Sequence, residues 1–181
     1  MRQRFRLLAF IFRNDLRERI SIAWNHTQAR DVSAAHGATQ LRATLPNHHA
    51  ISPLYAEIYE ALGANPNMDQ TLAIWYDDEY KVSDVDGAAV FILRNHVPES
   101  GRIHVHELPA ATMATTIHEG SHSTITQAYE AILAWIEDNG YHIVGPSREI
   151  YLHNTLPIDP DNRADVTEIQ FPVEKANTQN A

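Results

Sequence analysis

His118-Glu119-Gly120-Ser121-His122 has the spacing of the zinc-peptidase motif H-E-x-x-H. That chemistry needs both histidines on one helical face, a turn apart, with the glutamate as base toward a metal-bound water. The flanking residues oppose it. Ala114-Thr115-Thr116-Ile117 is β-branched and reads as a strand running into the motif, and Gly120 and Ser121 favour a turn over a helix interior. No metal site is expected here. His104 and His106 share a strand face and are read as exposed strand histidines. Thiolate ligation is impossible without cysteine. No G-x-S-x-G nucleophile signature occurs.

A carboxylate of a different kind stands in the run Asp165 to Val173. Side chains alternate along a strand, so Ile169, Phe171 and Val173 line one face, while Glu168 and Gln170 share the other with Val166. Taken alone, a strand glutamate belongs on a solvated face. A buried position would make it a site for cations or a general base.

The elements that must place these residues can be read from pattern. Extended runs cover Ile20 to Gln28, Gly37 to Thr44, Thr71 to Tyr76, Gly87 to Leu93, Arg102 to Leu108, Thr112 to His118, Glu149 to Leu152 and the closing strand. A helix opens at Ser52-Pro53, with Ser52 as N-cap, carries Leu54, Tyr55, Ile58 and Leu62, and stops at Gly63. A second follows Gly120 to Ser123, carries Ile125, Ala128, Tyr129, Ile132, Leu133 and Ile136, and closes at Asn139-Gly140. Asn65-Pro66-Asn67, Asp77-Asp78-Glu79, Pro98 to Gly101 and Pro157 to Asn162 read as turns or loops.

The order repeats. Ile51, Tyr55, Ile58 and Leu62 lie 74 positions before Ile125, Tyr129, Ile132 and Ile136. Ile74-Trp75 precedes Ile150-Tyr151 by 76, and Phe91 precedes Phe171 by 80. Short connections favour neighbouring antiparallel strands with the helices on one face. The expectation is therefore an α+β fold of two units, each ordered strand, strand, helix, strand, strand, about a pseudo-twofold axis, with a central groove between them. The half-repeats are expected at about 20–97 and 98–175, after a basic arm at 1–19 and before a tail at 176–181.

At 181 residues, 44% apolar and 20% charged, the chain can build a core. Its net charge of −9 is uneven. Residues 1–19 carry Arg2, Arg4, Arg6, Arg13, Arg17 and Arg19 against Asp15 and Glu18, or +4, which leaves −13 for the body. An acidic body repels nucleic-acid backbones, so no direct nucleic-acid binding is expected. The run Leu7 to Phe12 is too short to span a bilayer. A cytoplasmic protein with no membrane association is expected.

Several short motifs, in order, resemble the GyrI-like family, the effector-binding domain of bacterial transcription activators. They are Ile51-Ser52-Pro53-Leu54-Tyr55, Ile74 to Tyr80 with Asp84-Val85-Asp86, and Glu107-Leu108-Pro109-Ala110. They continue through Ala114-Thr115, His118, Gly120, the helix with Tyr129 and Trp135, Gly145-Pro146, Arg148-Glu149-Ile150-Tyr151 and Thr167 to Val173. The resemblance covers about Ile20 to Lys175. It implies a duplicated β-α-β-β unit and a central groove for lipophilic, often cationic, small molecules, with Glu168 as the buried carboxylate. Relatives often carry a second glutamate in the first half, where this chain has Gly87-Ala88-Ala89, with Ala88 matching Glu168. Too few residues precede the domain for a helix-turn-helix unit, so the chain reads as a stand-alone version or a fragment.

Three functions follow as expectations. The first is drug sensing or sequestration, with Glu168, Trp75, Tyr151, Tyr55, Tyr129 and His118 as ligand-contacting residues. It needs no cofactor, and the partner is an aromatic or cationic small molecule. The second is a hydrolase of strained cyclopropane compounds, with Glu168 as catalytic base beside Trp75 or Tyr151. The third is a protein-interaction modulator, such as a topoisomerase inhibitor.

Overall fold

The computed structural model describes residues 27–63, 67–94, 99–153 and 162–176. The expected arm at 1–19, most of the Ile20–Gln28 run and most of the 157–162 loop lie outside them. The described strands are β1 (Gln28–Val32), β2 (Ala35–Leu45), β3 (Met68–Trp75), β4 (Val85–Leu93), β5 (His104–Leu108), β6 (Ala111–Glu119), β7 (Tyr141–Ile143), β8 (Ser147–His153) and β9 (Val166–Lys175). Among the described residues two α-helices, α1 (Ser52–Leu62) and α2 (Ile125–Asp138), accompany the strands.

The strands pair antiparallel in the order β1-β6-β9-β8-β3-β4-β2-β5, with β7 also on β9. The order is symmetric about its centre. Going outward from β3, the first half supplies β4 and β2; going outward from β8, the second supplies β9 and β6. Each outermost strand is exchanged: β1 pairs with β6 of the other half, and β5 with β2. Only Ser33 and Ala34 join β1 to β2, and Pro109 and Ala110 join β5 to β6. Links this short draw the two ends of the sheet toward each other, so the sheet curls into a half-barrel.

Both helices lie on one face. Leu54 and Ile58 of α1 pack with Leu41 and Leu45 of β2, Ala73 and Trp75 of β3, and Ala89 and Phe91 of β4. Ala128, Ile132 and Ile136 of α2 pack with Ala114 of β6 and with Ile169, Phe171 and Val173 of β9. The two clusters belong to the same side because Ala73 pairs with Glu149, and Glu149 with Ile169. Ile132 is 0% exposed at the centre of its cluster. Ile132→Ala is expected to cost about 2–5 kcal/mol, read by urea denaturation; a loss under about 1 kcal/mol would mean that α2 is not seated as described.

Local details depart from the sequence reading, which ended its first strand at Gln28, where β1 begins. Ser52 is not an N-cap: a 3-10 turn over His48–Ile51 runs directly into α1, so Ser52 is already helical and makes no capping bond. The oxygen that caps comes instead from Ser121, which accepts from Ser123 N ahead of α2. β7 was not foreseen; three residues after Gly140 are too few for a periodic signal. Gly63 and Gly140 do end their helices with positive φ, at 72° and 65°.

Candidate functional site: the cleft between the helices

Because α1 covers β2 and β4 and α2 covers β6 and β9, the two central strands form the floor between the helices. On this face β3 presents Thr71, Ala73 and Trp75, and β8 presents Ser147, Glu149 and Tyr151. The 76-residue repeat makes Ala73 and Glu149 equivalent, and they are also direct Cα partners. The pseudo-twofold axis therefore passes between them. One side of the axis bears a carboxylate, and the other a methyl group.

Glu149 is buried, with 6% exposure. Tyr129 of α2 donates to its Oε1 at 2.6 Å, and Tyr151 to its Oε2 at 3.2 Å. Burial, reinforced by the Glu149 charge, pushes the Tyr129 phenol well above its ordinary range. Tyr151 is shifted the same way, chiefly by burial and then by Tyr55 and Glu149. Both phenols thus stay protonated as donors at any physiological pH. Tyr55, the repeat mate of Tyr129, donates instead to the Leu72 carbonyl at 2.8 Å. Its ring stands edge-on to Tyr151, with centroids 6.2 Å apart.

Trp75 lies at the α1 side. Its indole rests on Gly87, where a Cβ would come within 2.5 Å of the ring. His48 meets Trp75 edge-on at 4.7 Å and stacks on Tyr80 at 5.2 Å. Burial holds the His48 imidazole below its ordinary pKa of 6.5, against the upward pull of Glu149. On the α2 side His122 approaches Tyr151 at 5.9 Å.

Of the six residues picked out from sequence, Trp75, Tyr151, Tyr55, Tyr129 and His118 share the helix face. His118 lies under the start of α2, its Nε2 3.0 Å from the Ser121 carbonyl, so its polar contacts there are with the turn. The motif it heads runs from strand through Gly120, at φ 128°, into a 3-10 turn. It has no helical register, as its β-branched flank and glycine foretold. Among the described residues no three His, Asp or Glu side chains are grouped to hold a metal ion.

Glu168 faces the other way. It pairs with Ile150 and Ile117 on the inner face of the curled sheet, is 8% exposed, and has Arg30 Nη2 2.5 Å from its Oε1. The alternation read in β9 holds, and it is the reason: Ile169, Phe171 and Val173 lie beneath α2, so Glu168 must point away from the rings. The structure brings the rings to Glu149 instead. Period two along β8 was the signal for it, since any face that holds Tyr151 also holds Glu149.

The GyrI-like small molecule binding domain model matches residues 38–174. The crystal structure of the EcmrR C-terminal domain is 27% identical with a TM-score of 0.72, covering 83% of this chain and 99% of that one. EcmrR in its cryo-EM complex with DNA has a TM-score of 0.77 at 24% identity, over 95% of this chain and 66% of that one. SAV2435 bound to tetraphenylphosphonium has a TM-score of 0.52 at 13% identity, over 82% of this chain and 94% of that one. The last two likenesses are of fold alone. No curated protein matches the chain. With the family model spanning most of its length, and both helices flanking a symmetric central floor, this chain belongs to the GyrI-like small-molecule-binding family.

Proposed function

We propose that the cleft between α1 and α2 takes a lipophilic, multi-ring cation, with Glu149 as its counter-charge. The observation that carries this reading is a buried carboxylate whose hydrogen bonds come from two phenols. Among the described residues no Lys, Arg or His lies within ion-pair distance of it. An uncompensated charge in such a place is costly, and a bound cation removes the cost. Trp75, Tyr55 and Tyr151 add ring faces and edges, each cation–π contact contributing about 0.5–2 kcal/mol according to its desolvation. Tetraphenylphosphonium, the ligand of SAV2435, is a suitable probe. Binding fits better than hydrolysis, because each Glu149 oxygen already accepts a phenol hydrogen bond, which lowers its basicity toward water.

Tryptophan-fluorescence titration with tetraphenylphosphonium and with neutral triphenylphosphine oxide tests the charge. The cation is expected to bind at least tenfold more tightly; equal affinities would sink the proposal.

Acid should weaken the complex through His48. Its folded pKa is depressed, so it is neutral at pH 7 in both folded and unfolded chains. As pH falls through 6.5 the unfolded chain takes up the proton first, and stability declines until the folded pKa is passed. A protonated His48 beside Glu149 then also competes with the ligand. Cation affinity is expected to fall from pH 8 to pH 5, and to fall less in His48→Gln; parallel profiles would remove His48 from the cleft's electrostatics.

A further inference from the structure

The inner face of the curled sheet carries three arginines, and two of them have acids. Arg30 pairs with Glu168 at 2.5 Å. Arg42 pairs with Asp86, also at 2.5 Å, and covers the Tyr76 ring at 3.6 Å. The third is Arg148 on β8. It is 9% exposed, and its Nε is sealed from solvent with no hydrogen-bond partner. Among the described residues its guanidinium makes neither a hydrogen bond nor an ion pair.

Its surroundings are settled by register. Arg148 pairs with Ile74 of β3 on one side and Gln170 of β9 on the other. Beyond Gln170 comes Thr115, and beyond Ile74 comes Ala88. Gln170 is 4% exposed, and its amide likewise has no partner among the described residues. Ile150, Leu72 and Val90 are packed alongside in one buried apolar cluster. The curl turns β5, four strands away in the sheet, toward this point: burial, then His104 and then the Arg148 charge hold the His106 imidazole below its ordinary range. Burial dominates at Arg148 and draws its pKa down, opposed by Tyr76, with no carboxylate among the causes. The diagonal acid, Glu168, is already held by Arg30.

We infer that Arg148 is the anchor of a second binding site, on the sheet face opposite the cleft, for a small monocarboxylate. A guanidinium presents paired donors matched to the two oxygens of a carboxylate. Gln170 supplies a further amide donor, and the buried cluster of Ile74, Ile150 and Ala88 keeps the charge poorly solvated, which strengthens its pull on an anion. One positive charge that no acid holds among the described residues suits a monoanion better than a phosphate dianion. Arg148 and Glu149 are consecutive, so strand alternation gives each face of β8 one charge of opposite sign. The inference does not rest on the cation cleft and can fail independently of it.

The test is a titration of the full ¹⁵N-labelled chain with benzoate, with benzamide as the neutral isostere and inorganic phosphate as the competing oxyanion, at constant ionic strength. The Arg148 Nε–H resonance and the β8 and β9 amides are followed. Saturable shifts at Arg148 with benzoate are expected, with benzamide and phosphate each at least tenfold weaker. Arg148→Met should reduce benzoate affinity at least tenfold while leaving tetraphenylphosphonium affinity unchanged. Linear, unsaturated shifts, equal response to benzoate and benzamide, or a folded Arg148→Met protein that binds benzoate like wild type would each overturn the site. Tighter binding of phosphate than of benzoate would overturn the assignment to carboxylates. Should Arg148→Met fail to fold, the wild-type contrast between benzoate and benzamide decides alone.

Discussion

Glu149→Gln is expected to weaken binding of tetraphenylphosphonium about 10- to 100-fold, and Glu168→Gln to leave it within about twofold. Glutamine is nearly isosteric, so Tyr129 and Tyr151 keep an acceptor and the cleft keeps its shape. What is lost is the charge facing the ligand in a site with little water. Glu168 lies on the other side of the sheet against Arg30, 138 positions away in sequence. Its neutralisation should appear in stability instead, by about 1 kcal/mol, because the Arg30 side chain is 41% exposed and solvent screens the pair. Calorimetric titration of both variants, with urea denaturation alongside, separates the two acids. Loss of cation binding in Glu168→Gln with retention in Glu149→Gln would place the ligand inside the curl and not between the helices.

Gly87→Ala is expected to cost about 1–3 kcal/mol of stability and to reduce cation affinity several-fold. Gly87 and Trp75 are Cα partners on β4 and β3, and the indole lies over the glycine. A methyl group there would stand 2.5 Å from Cζ3 and 2.8 Å from Cε3 of the ring, and 3.2 Å from Leu45 Cδ1. The ring must therefore shift, carrying with it the edge contact to His48. Near-UV circular dichroism reports the indole and urea denaturation the cost. In Trp75→Phe the smaller ring should absorb part of the added methyl, so the double variant should cost less than the sum of the single changes. Strict additivity, or an unchanged tryptophan spectrum in Gly87→Ala, would show that the indole does not rest there.

The duplicated architecture was readable because it rests on local periodicities. Helical spacing of Tyr55 and Tyr129, strand alternation at Trp75 and Tyr151, and glycines at 63 and 140 survive in each half without knowledge of the other. The helix entry at Ser52 was misread because a preceding 3-10 turn leaves no distinct compositional mark. Among the site residues, the four aromatic positions could be chosen from their equivalence across the repeat. Glu149 was within reach of the same rule that selected Tyr151, two residues away on the same strand. The choice of Glu168 came from the family resemblance; alternation put it on the face opposite Ile169, Phe171 and Val173, and the structure shows that row beneath α2.

Alternation along a strand is dictated by backbone geometry, so the division of β9 into an apolar row and a Glu168–Gln170 row needed nothing beyond residue order. Which row meets the helices, and which acid meets the rings, depends on pairing register between β3 and β8. That register is set by packing of residues some 76 positions apart, through contacts no local window contains. The same holds for the inner face. Arg30, Arg42 and Arg148 are equally charged side chains in the chain, and only the pairing of distant strands gives acids to two of them and, among the described residues, none to the third.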